Sequence, residues 1–218
     1  MFETSRIPVV MTPEEAYSSL MEGNQRFTSG APEHPNQDAE RRATLAQGQA
    51  PFATMFGCGD SRLAAEVIFD QGLGDMFVVR TAGHALDAAV LGSLEFGVDG
   101  LHTPLVVVLG HDSCGAVKAT KAFNDTGAMP SGFQRNFVEH ILPATLSPSL
   151  GAEATVNDMV REHTRMTVER ILEQSPIISS AVSQNRTAVV GLFYHLAEGT
   201  VELVHATDNI ATGFSATR

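Results

Sequence analysis

Three short apolar segments without polar alternation constrain the fold more than any other feature of this sequence. They cover residues 52–57, 76–80 and 104–109, and segments with helical spacing separate them. A strand that faces water on one side alternates apolar and polar residues, whereas a strand buried on both faces is apolar throughout. We therefore predict an α/β fold, in which helices flank a mostly parallel sheet.

The remaining segments predict a sheet of about five strands within a single domain that spans residues 1–218. Residues 187–194 and 200–205 are two further strand candidates, and the turn at Glu198-Gly199 joins them into a hairpin at the sheet edge. Residues 124–151 are rich in Pro, Gly and Ser and predict no clear element, and residues 206–218 predict a loose tail. Helices are predicted over residues 12–30, 39–48, 61–70, 86–100, 115–123 and 155–175.

Residues 1–48 are predicted to form an N-terminal helical arm that precedes the sheet. Thr12 and Glu15 have the spacing of a capping box, in which each side chain accepts a hydrogen bond from the other residue's backbone N–H group. The helix predicted over residues 12–30 therefore has a defined start.

Charge and hydropathy exclude two classes of partner. The chain carries 14 basic and 25 acidic residues, and a net charge of −11 repels nucleic acid and anionic lipid. It has no run of 18 apolar residues, so we predict no membrane span. The N-terminus shows no apolar core of a secretory signal, so we expect a cytoplasmic protein.

Two polar clusters follow predicted strands. Residues 58–62 (Cys-Gly-Asp-Ser-Arg) come directly after the first strand, and residues 111–115 (His-Asp-Ser-Cys-Gly) come after the third. Ligand sites of parallel α/β sheets form at the carboxyl ends of the strands. If these two strands are neighbours, the clusters converge on one point.

That point would hold two thiolates and one imidazole, a donor set that suits zinc and leaves one tetrahedral position open, as in catalytic sites. A disulfide between the two cysteines is the alternative, which a cytoplasmic location disfavours. A cysteine-dependent hydrolase or sulfurtransferase without metal is the main competing function. Asp60 and Arg62 are close enough in sequence to pair, which keeps the carboxylate ionised, or Asp60 can become a fourth metal ligand in a closed state.

The pattern Cys-x-Asp-x-Arg followed by His-x-x-Cys resembles the signature of the β-class carbonic anhydrases. The similarity is closest over residues 56–84 and 104–117, covers roughly residues 12–123 well, and extends more loosely over residues 155–205. It implies a zinc lyase with one Zn²⁺ per chain, which hydrates CO2 reversibly to bicarbonate and a proton through attack of zinc-bound hydroxide. It also implies a homodimer or homotetramer, in which the arm of residues 1–48 clasps a partner subunit.

The resemblance assigns a role to each matching residue. By resemblance, Cys58, His111 and Cys114 bind zinc, and Asp60 and Arg62 form the catalytic dyad that orients the hydroxide. The implied substrate-binding positions are Gln49, which acts from across the dimer interface, and Phe77, Gly83 and Phe96.

Two positions depart from the family pattern. Met55 stands where some bacterial members have the Trp of a non-catalytic bicarbonate pocket, so we expect that pocket to be weak or absent and the metal site to be open. His84 stands where the family often has Asn, and it is either a surface or interface histidine or a proton shuttle. A relative acting on carbon disulfide or carbonyl sulfide, and a non-catalytic zinc-stabilised scaffold, are the other functions that the signature allows.

Overall fold

A five-stranded sheet forms the centre of the chain. The structure is a computed structural model that describes residues 11–211, so predictions for residues 1–10 and 212–218 lie outside the described part. The strands are β1 (Ala53–Cys58), β2 (Met76–Thr81), β3 (Leu105–His111), β4 (Ala188–Tyr194) and β5 (Val201–Ala206). Their order is β2-β1-β3-β4-β5, with β1 to β4 parallel and β5 antiparallel to β4. The predicted α/β class, the five strands and the edge hairpin are confirmed.

The apolar strands are buried on both faces of the sheet. Every residue of β1, β3 and β4 is buried. Along β3, Leu105, Val107 and Leu109 belong to one apolar cluster, whereas Val106 and Val108 belong to a second cluster on the other face. This two-sided burial is the physical reason for the missing polar alternation.

Helices cover the two faces. Within residues 11–211 they are α1 (Pro13–Thr28), α2 (Ala39–Leu45), α3 (Ala65–Ile68), α4 (Ala88–Glu95), α5 (Gly115–Thr126), α6 (Gln134–Thr145), α7 (Val156–Gln174) and α8 (Pro176–Ser183). The capping box of Thr12 and Glu15 is present at the start of α1. No helix among these residues is long and apolar enough to cross a membrane.

Two predicted helices are shorter than their apolar spacing indicates. Of residues 61–70 only α3 is helical, because the chain first makes a turn in which the Leu63 N–H donates to the Asp60 carbonyl. Of residues 86–100 only α4 is α-helical, and a wider π turn covers Phe96–Gly100. At that turn Gly97 lies against Thr54, where a Cβ atom would come within 2.1 Å of the threonine Oγ1.

Two helices were missed in the sequence. Helix α6 lies inside residues 124–151, and its pattern is masked because it contains Pro143 and lacks a side-chain cap. Its residues Val138, Ile141 and Ala144 are nevertheless buried. Helix α8 begins at Pro176, directly after the helix predicted over residues 155–175, where no further helix was predicted.

Helix α7 contacts the sheet closely where two strands carry glycine. A Cβ atom on Gly110 of β3 would lie 2.3 Å from the Thr164 Oγ1, and one on Gly191 of β4 would lie 3.0 Å from the Thr164 Cγ2. Larger residues at either position would push α7 away from the sheet. The close approach brings the N-terminal half of α7 to the carboxyl end of β3.

Buried polar groups dock the N-terminal arm. The Asn24 Nδ2 donates to the carbonyl oxygens of Ile68 (3.1 Å) and Gly199 (2.8 Å), and its Oδ1 accepts from the Val201 N–H. The Asp70 carboxylate, also buried, accepts from the Arg26 Nε at 2.6 Å. Helix α1 is therefore fixed to α3 and to the β4–β5 hairpin, whereas α2 has no buried residue.

We expect Asp70→Ala to lower the free energy of unfolding by about 3 kcal/mol, measured by urea denaturation near neutral pH. The substitution removes the acceptor of Arg26 and of the Glu33 and His34 N–H groups, each of the latter at 2.9 Å. Burial opposes ionisation, but these donors outweigh it and lower the pKa of Asp70. The contribution is thus present above the unfolded-state pKa and is lost as the pH falls through the folded-state value.

The matched control is Asp125→Ala, which removes an exposed i,i+4 ion pair with Lys121. We expect it to change the unfolding free energy by less than about 0.5 kcal/mol. Equal effects of the two substitutions would contradict the role assigned to Asp70.

Candidate metal centre

Three buried side chains converge at the carboxyl ends of two adjacent strands. Cys58 ends β1, His111 ends β3, and Cys114 directly precedes α5. The two sulfurs and one imidazole nitrogen lie within 4.8 Å of one another. Ser113 adopts a φ of 54° in the intervening turn, and its N–H donates to the Asn157 Oδ1 at 2.9 Å. The pairing of β1 with β3 thus brings the two polar clusters of the sequence together.

The His111 ring presents one nitrogen toward the sulfurs. Its Nδ1 lies 2.8 Å from the Asp112 carbonyl oxygen, which can only accept, so Nδ1 carries the proton. The Nε2 is buried and has no hydrogen-bond partner among the described residues. An unprotonated, unpartnered imidazole nitrogen beside two thiols is a donor arrangement that fits a metal ion.

The two cysteines are free thiols and not a disulfide. The hydrogen bond between the Cys114 thiol and the Cys58 sulfur lowers the pKa of Cys58 and raises that of Cys114, because the pair shares a proton. Burial opposes the thiolate at Cys58, whereas the Gly83 N–H, 3.2 Å from the Cys58 Sγ, favours it. The thiolate is the form that binds metals.

Asp60 and Arg62 form a two-point ion pair beside the three ligands. The Arg62 Nε donates to Asp60 Oδ1 at 2.9 Å, and the Nη2 donates to Oδ2 at 2.7 Å. The Arg62 N–H donates to Oδ1 as well, at 3.0 Å. These hydrogen bonds, with Arg62 as the largest cause, hold the pKa of Asp60 well below its usual range. The carboxylate is therefore an ionised acceptor that arginine holds in place.

Backbone contacts fix the loop between Cys58 and Arg62. The Arg80 Nε donates to the Cys58 carbonyl at 3.0 Å, and its Nη2 donates to the Asp60 carbonyl at 2.6 Å. Gly83 takes a left-handed φ of 61°, where a Cβ atom would come within 2.7 Å of Ala116 and Ile141. Glycine is required here because any side chain would collide with both neighbours.

Among the remaining predicted substrate residues, Phe77 lies away from the metal centre of its own chain. Phe77 of β2 pairs with Thr54, four residues before Cys58, which separates it from the centre by about 13 Å along the strands. Its ring packs against that of Phe96, with centroids 5.8 Å apart, and Phe96 is 53% exposed. Gln49 is exposed in the loop after α2.

A second group of possible metal ligands is more exposed, and two of its three members have structural partners. It consists of Asp112, His195 and Glu198. The Asp112 Oδ2 accepts from the Leu196 N–H at 3.0 Å, and the His195 Nε2 pairs with Glu202 at 3.0 Å. These contacts explain why the three side chains lie together: they hold Asp112 and His195 at the turn between β4 and β5.

The sequence reasoning missed one histidine near the centre. His163 of α7 is buried, and its Nε2 lies 3.0 Å from the Gly83 carbonyl oxygen. It is 49 residues beyond Cys114 and belongs to no motif. The available signal was its helical spacing with Val160 and Thr167, which places it on the buried face of the helix.

Comparison with known proteins finds similar sequences over most of the chain. A family model described as carbonic anhydrase matches residues 53–201. A carbonic anhydrase of Mycolicibacterium smegmatis is 52% identical over 191 residues, which cover 88% of this chain and 93% of that protein. Carbonic anhydrase 2 of Mycobacterium tuberculosis is 48% identical over 198 residues, which cover 91% of this chain and 96% of the relative.

Solved structures share the fold at lower identity. A Coccomyxa β-carbonic anhydrase in complex with acetazolamide superposes with a TM-score of 0.68 at 24% identity, covering 87% of each chain. Tetrameric β-carbonic anhydrases from Sordaria macrospora give a TM-score of 0.67 at 21% identity, covering 89% of this chain and all of the other.

Proposed function

Because this chain belongs to the β-class carbonic anhydrase family, an enzyme family that hydrates CO2, we propose that it does so with one zinc ion per chain held by Cys58, His111 and Cys114. The observation that carries this proposal is the convergence of those three buried ligands within 4.8 Å, beside an ionised carboxylate. Bicarbonate and a proton are the products of the forward reaction.

The donor set supports zinc in a catalytic role. Two thiolates and one imidazole are common zinc ligands, and three protein ligands leave one position of a tetrahedron for a reactant. When bound, zinc supplies a hydroxide nucleophile near neutral pH, because it lowers the pKa of water to about 7. The unpartnered Nε2 of His111 is the atom that this proposal assigns to the metal.

Asp60 is proposed to orient the nucleophile by accepting a hydrogen bond from it. The carboxylate stays ionised because Arg62 donates to both of its oxygens, so it can accept but not donate. The same hydrogen bonds hold Asp60 in the loop and oppose its movement onto the metal. This geometry supports an open site with Asp60 as second-layer acceptor and not as a fourth ligand.

The small cavity beside Met55 also supports an open metal site, because it leaves no room for the non-catalytic bicarbonate pocket. Met55, Gly57 and Arg80 line a cavity of about 10 Å³. A space of this size holds at most one water molecule and is too small for bicarbonate. Arg80 is meanwhile held by the carbonyl oxygens of Cys58 and Asp60.

A second copy of the chain is proposed to complete the substrate pocket. Phe77 lies away from its own metal centre and packs against the exposed Phe96, and Gln49 is exposed in the loop after α2. A homodimer, or a tetramer built from two dimers, would bury these side chains and bring them to a partner's site. The cytoplasmic location stays a prediction from the sequence.

The proposal is tested by stopped-flow CO2 hydration between about pH 6.5 and pH 9, with zinc quantified on the same sample. We expect one zinc per chain and rapid hydration that falls when a chelator removes the metal. Zinc without hydration at any pH would favour the scaffold or a relative that acts on carbon disulfide or carbonyl sulfide. Hydration without zinc, or neither, would refute the proposed centre and return attention to the cysteines as reactive thiols.

A further inference from the structure

Two buried histidines lie behind the metal centre and have no part in the proposed chemistry. His84 is fully buried and His163 is 1% exposed. Their rings stack with centroids 4.3 Å apart and planes inclined by 27°. His84 follows β2 and His163 belongs to α7, so the stack joins two elements that flank the ligand Cys58.

The proton position on His163 follows from its contact. The Nε2 lies 3.0 Å from the Gly83 carbonyl oxygen, which only accepts, so Nε2 must donate. The Nδ1 is then unprotonated, and it is buried without a partner among residues 11–211. Burial lowers the pKa of His163 to about 4, so the ring is neutral near pH 7.

Gly83 is held from both sides of its Cα atom. Its N–H donates to the Cys58 Sγ at 3.2 Å, and its carbonyl oxygen accepts from His163. The two hydrogen bonds fix the two peptide planes that flank Gly83, at a left-handed φ of 61°. Without a side chain of its own, Gly83 depends on these contacts to keep its N–H directed at the sulfur.

We propose that His163 is a positioning residue for the metal ligand Cys58, because it holds the Gly83 carbonyl and thereby keeps the Gly83 N–H on the Cys58 sulfur. Hydrogen bonds to a ligating sulfur tune the metal that it binds, and groups that orient ligands contribute to metal affinity. The stacked His84 ring restricts rotation of the His163 ring. This inference rests on the proposed function, since it assumes that Cys58 binds zinc.

The first test uses the unaltered, zinc-loaded protein. Long-range ¹H–¹⁵N NMR spectra should show His163 as a neutral ring protonated at Nε2 across about pH 6 to 8. A proton on Nδ1 would overturn the proposal, whatever the behaviour of variants.

The second test compares three variants by zinc affinity and by the sulfur-to-cobalt charge-transfer band of the cobalt-loaded protein. His163→Leu should weaken zinc binding about 10- to 100-fold and shift the band, since it leaves the Gly83 carbonyl without its donor. His163→Gln, whose Nε2 amide can replace the donor, should restore affinity to within about threefold. Thr167→Val, one turn along the same buried face and bonded only to the His163 carbonyl, should leave band and affinity unchanged.

The outcomes separate this inference from the function on which it rests. An unaltered protein that binds neither zinc nor cobalt would refute the proposed metal centre. Normal metal binding in the unaltered protein together with an unchanged band and affinity in His163→Leu would refute only the role of His163. If the leucine variant does not fold, the NMR result and the glutamine variant decide.

Discussion

Replacement of Cys114 by alanine is expected to remove zinc and abolish CO2 hydration. Cys114 is fully buried beside Cys58 and His111, and the chain has no third cysteine that could take its place. Loss of one of three ligands should weaken zinc binding by about 3 kcal/mol or more, which is about 100-fold or more. Zinc content after dialysis and hydration rate, measured on the same preparation, check the expectation.

The control for that variant is Val117→Ala in α5, the helix that follows Cys114. Val117 is also fully buried, so its truncation destabilises the core without removing a ligand. We expect the control to unfold at a lower urea concentration but to keep one zinc per chain and its activity. A full complement of zinc in Cys114→Ala would remove Cys114 from the ligand set.

Replacement of Asp60 by alanine is expected to keep zinc and lose about 100-fold in kcat/KM. In the proposed site the carboxylate orients the nucleophile and is not one of the three ligands, so we expect the metal to stay while the nucleophile loses its acceptor. Arg62 would then lack its partner, but it is largely exposed and remains hydrated. Zinc content and stopped-flow hydration distinguish this result from simple loss of metal.

Two further variants define what the ion pair of Asp60 and Arg62 contributes to activity. Arg62→Lys keeps the positive charge but removes the two-point contact, so we expect an intermediate loss of activity. Glu66→Gln, an exposed acidic residue six positions from Asp60, should leave activity unchanged. Equal loss of zinc and activity in Asp60→Ala would contradict the orienting role.

The pH dependence provides a separate check on Asp60. Since Arg62 lowers the pKa of Asp60 well below its usual range, the carboxylate is ionised throughout neutral and mildly acidic pH. Titration of Asp60 should therefore produce no inflection in the activity profile between about pH 5 and pH 9. An inflection in that range that disappears in Arg62→Lys would contradict this assignment.

The fold class and the residues of the candidate metal site were predictable from the sequence, because the strand patterns and the two polar clusters are local features. Continuous apolar runs such as Leu105–Leu109 predict strands that are buried on two faces. Strands of this kind are typical of parallel sheets with helices on both sides. Cys58 and His111 end their strands, so the general position of ligand sites in parallel sheets indicated where they would lie. The ion pair of Asp60 and Arg62 is equally local, since only Ser61 separates the partners in the sequence.

Other features depend on contacts between distant parts of the chain, which no local pattern contains. The order β2-β1-β3-β4-β5 makes β1 and β3 neighbours, and only that pairing brings Cys58 to His111 and Cys114. The shortening of the helix predicted over residues 61–70 follows from the turn that holds Asp60.

The hydrogen bonds of Gly83 are the clearest example of contacts between distant parts of the chain. Its N–H reaches a sulfur 25 residues earlier, and its carbonyl accepts from a histidine 80 residues later. The sequence by itself determined which side chains are available to bind a metal. The tertiary structure decided which buried groups orient them, because glycines in β3 and β4 allow α7 to pack closely and carry His163 to the edge of the sheet.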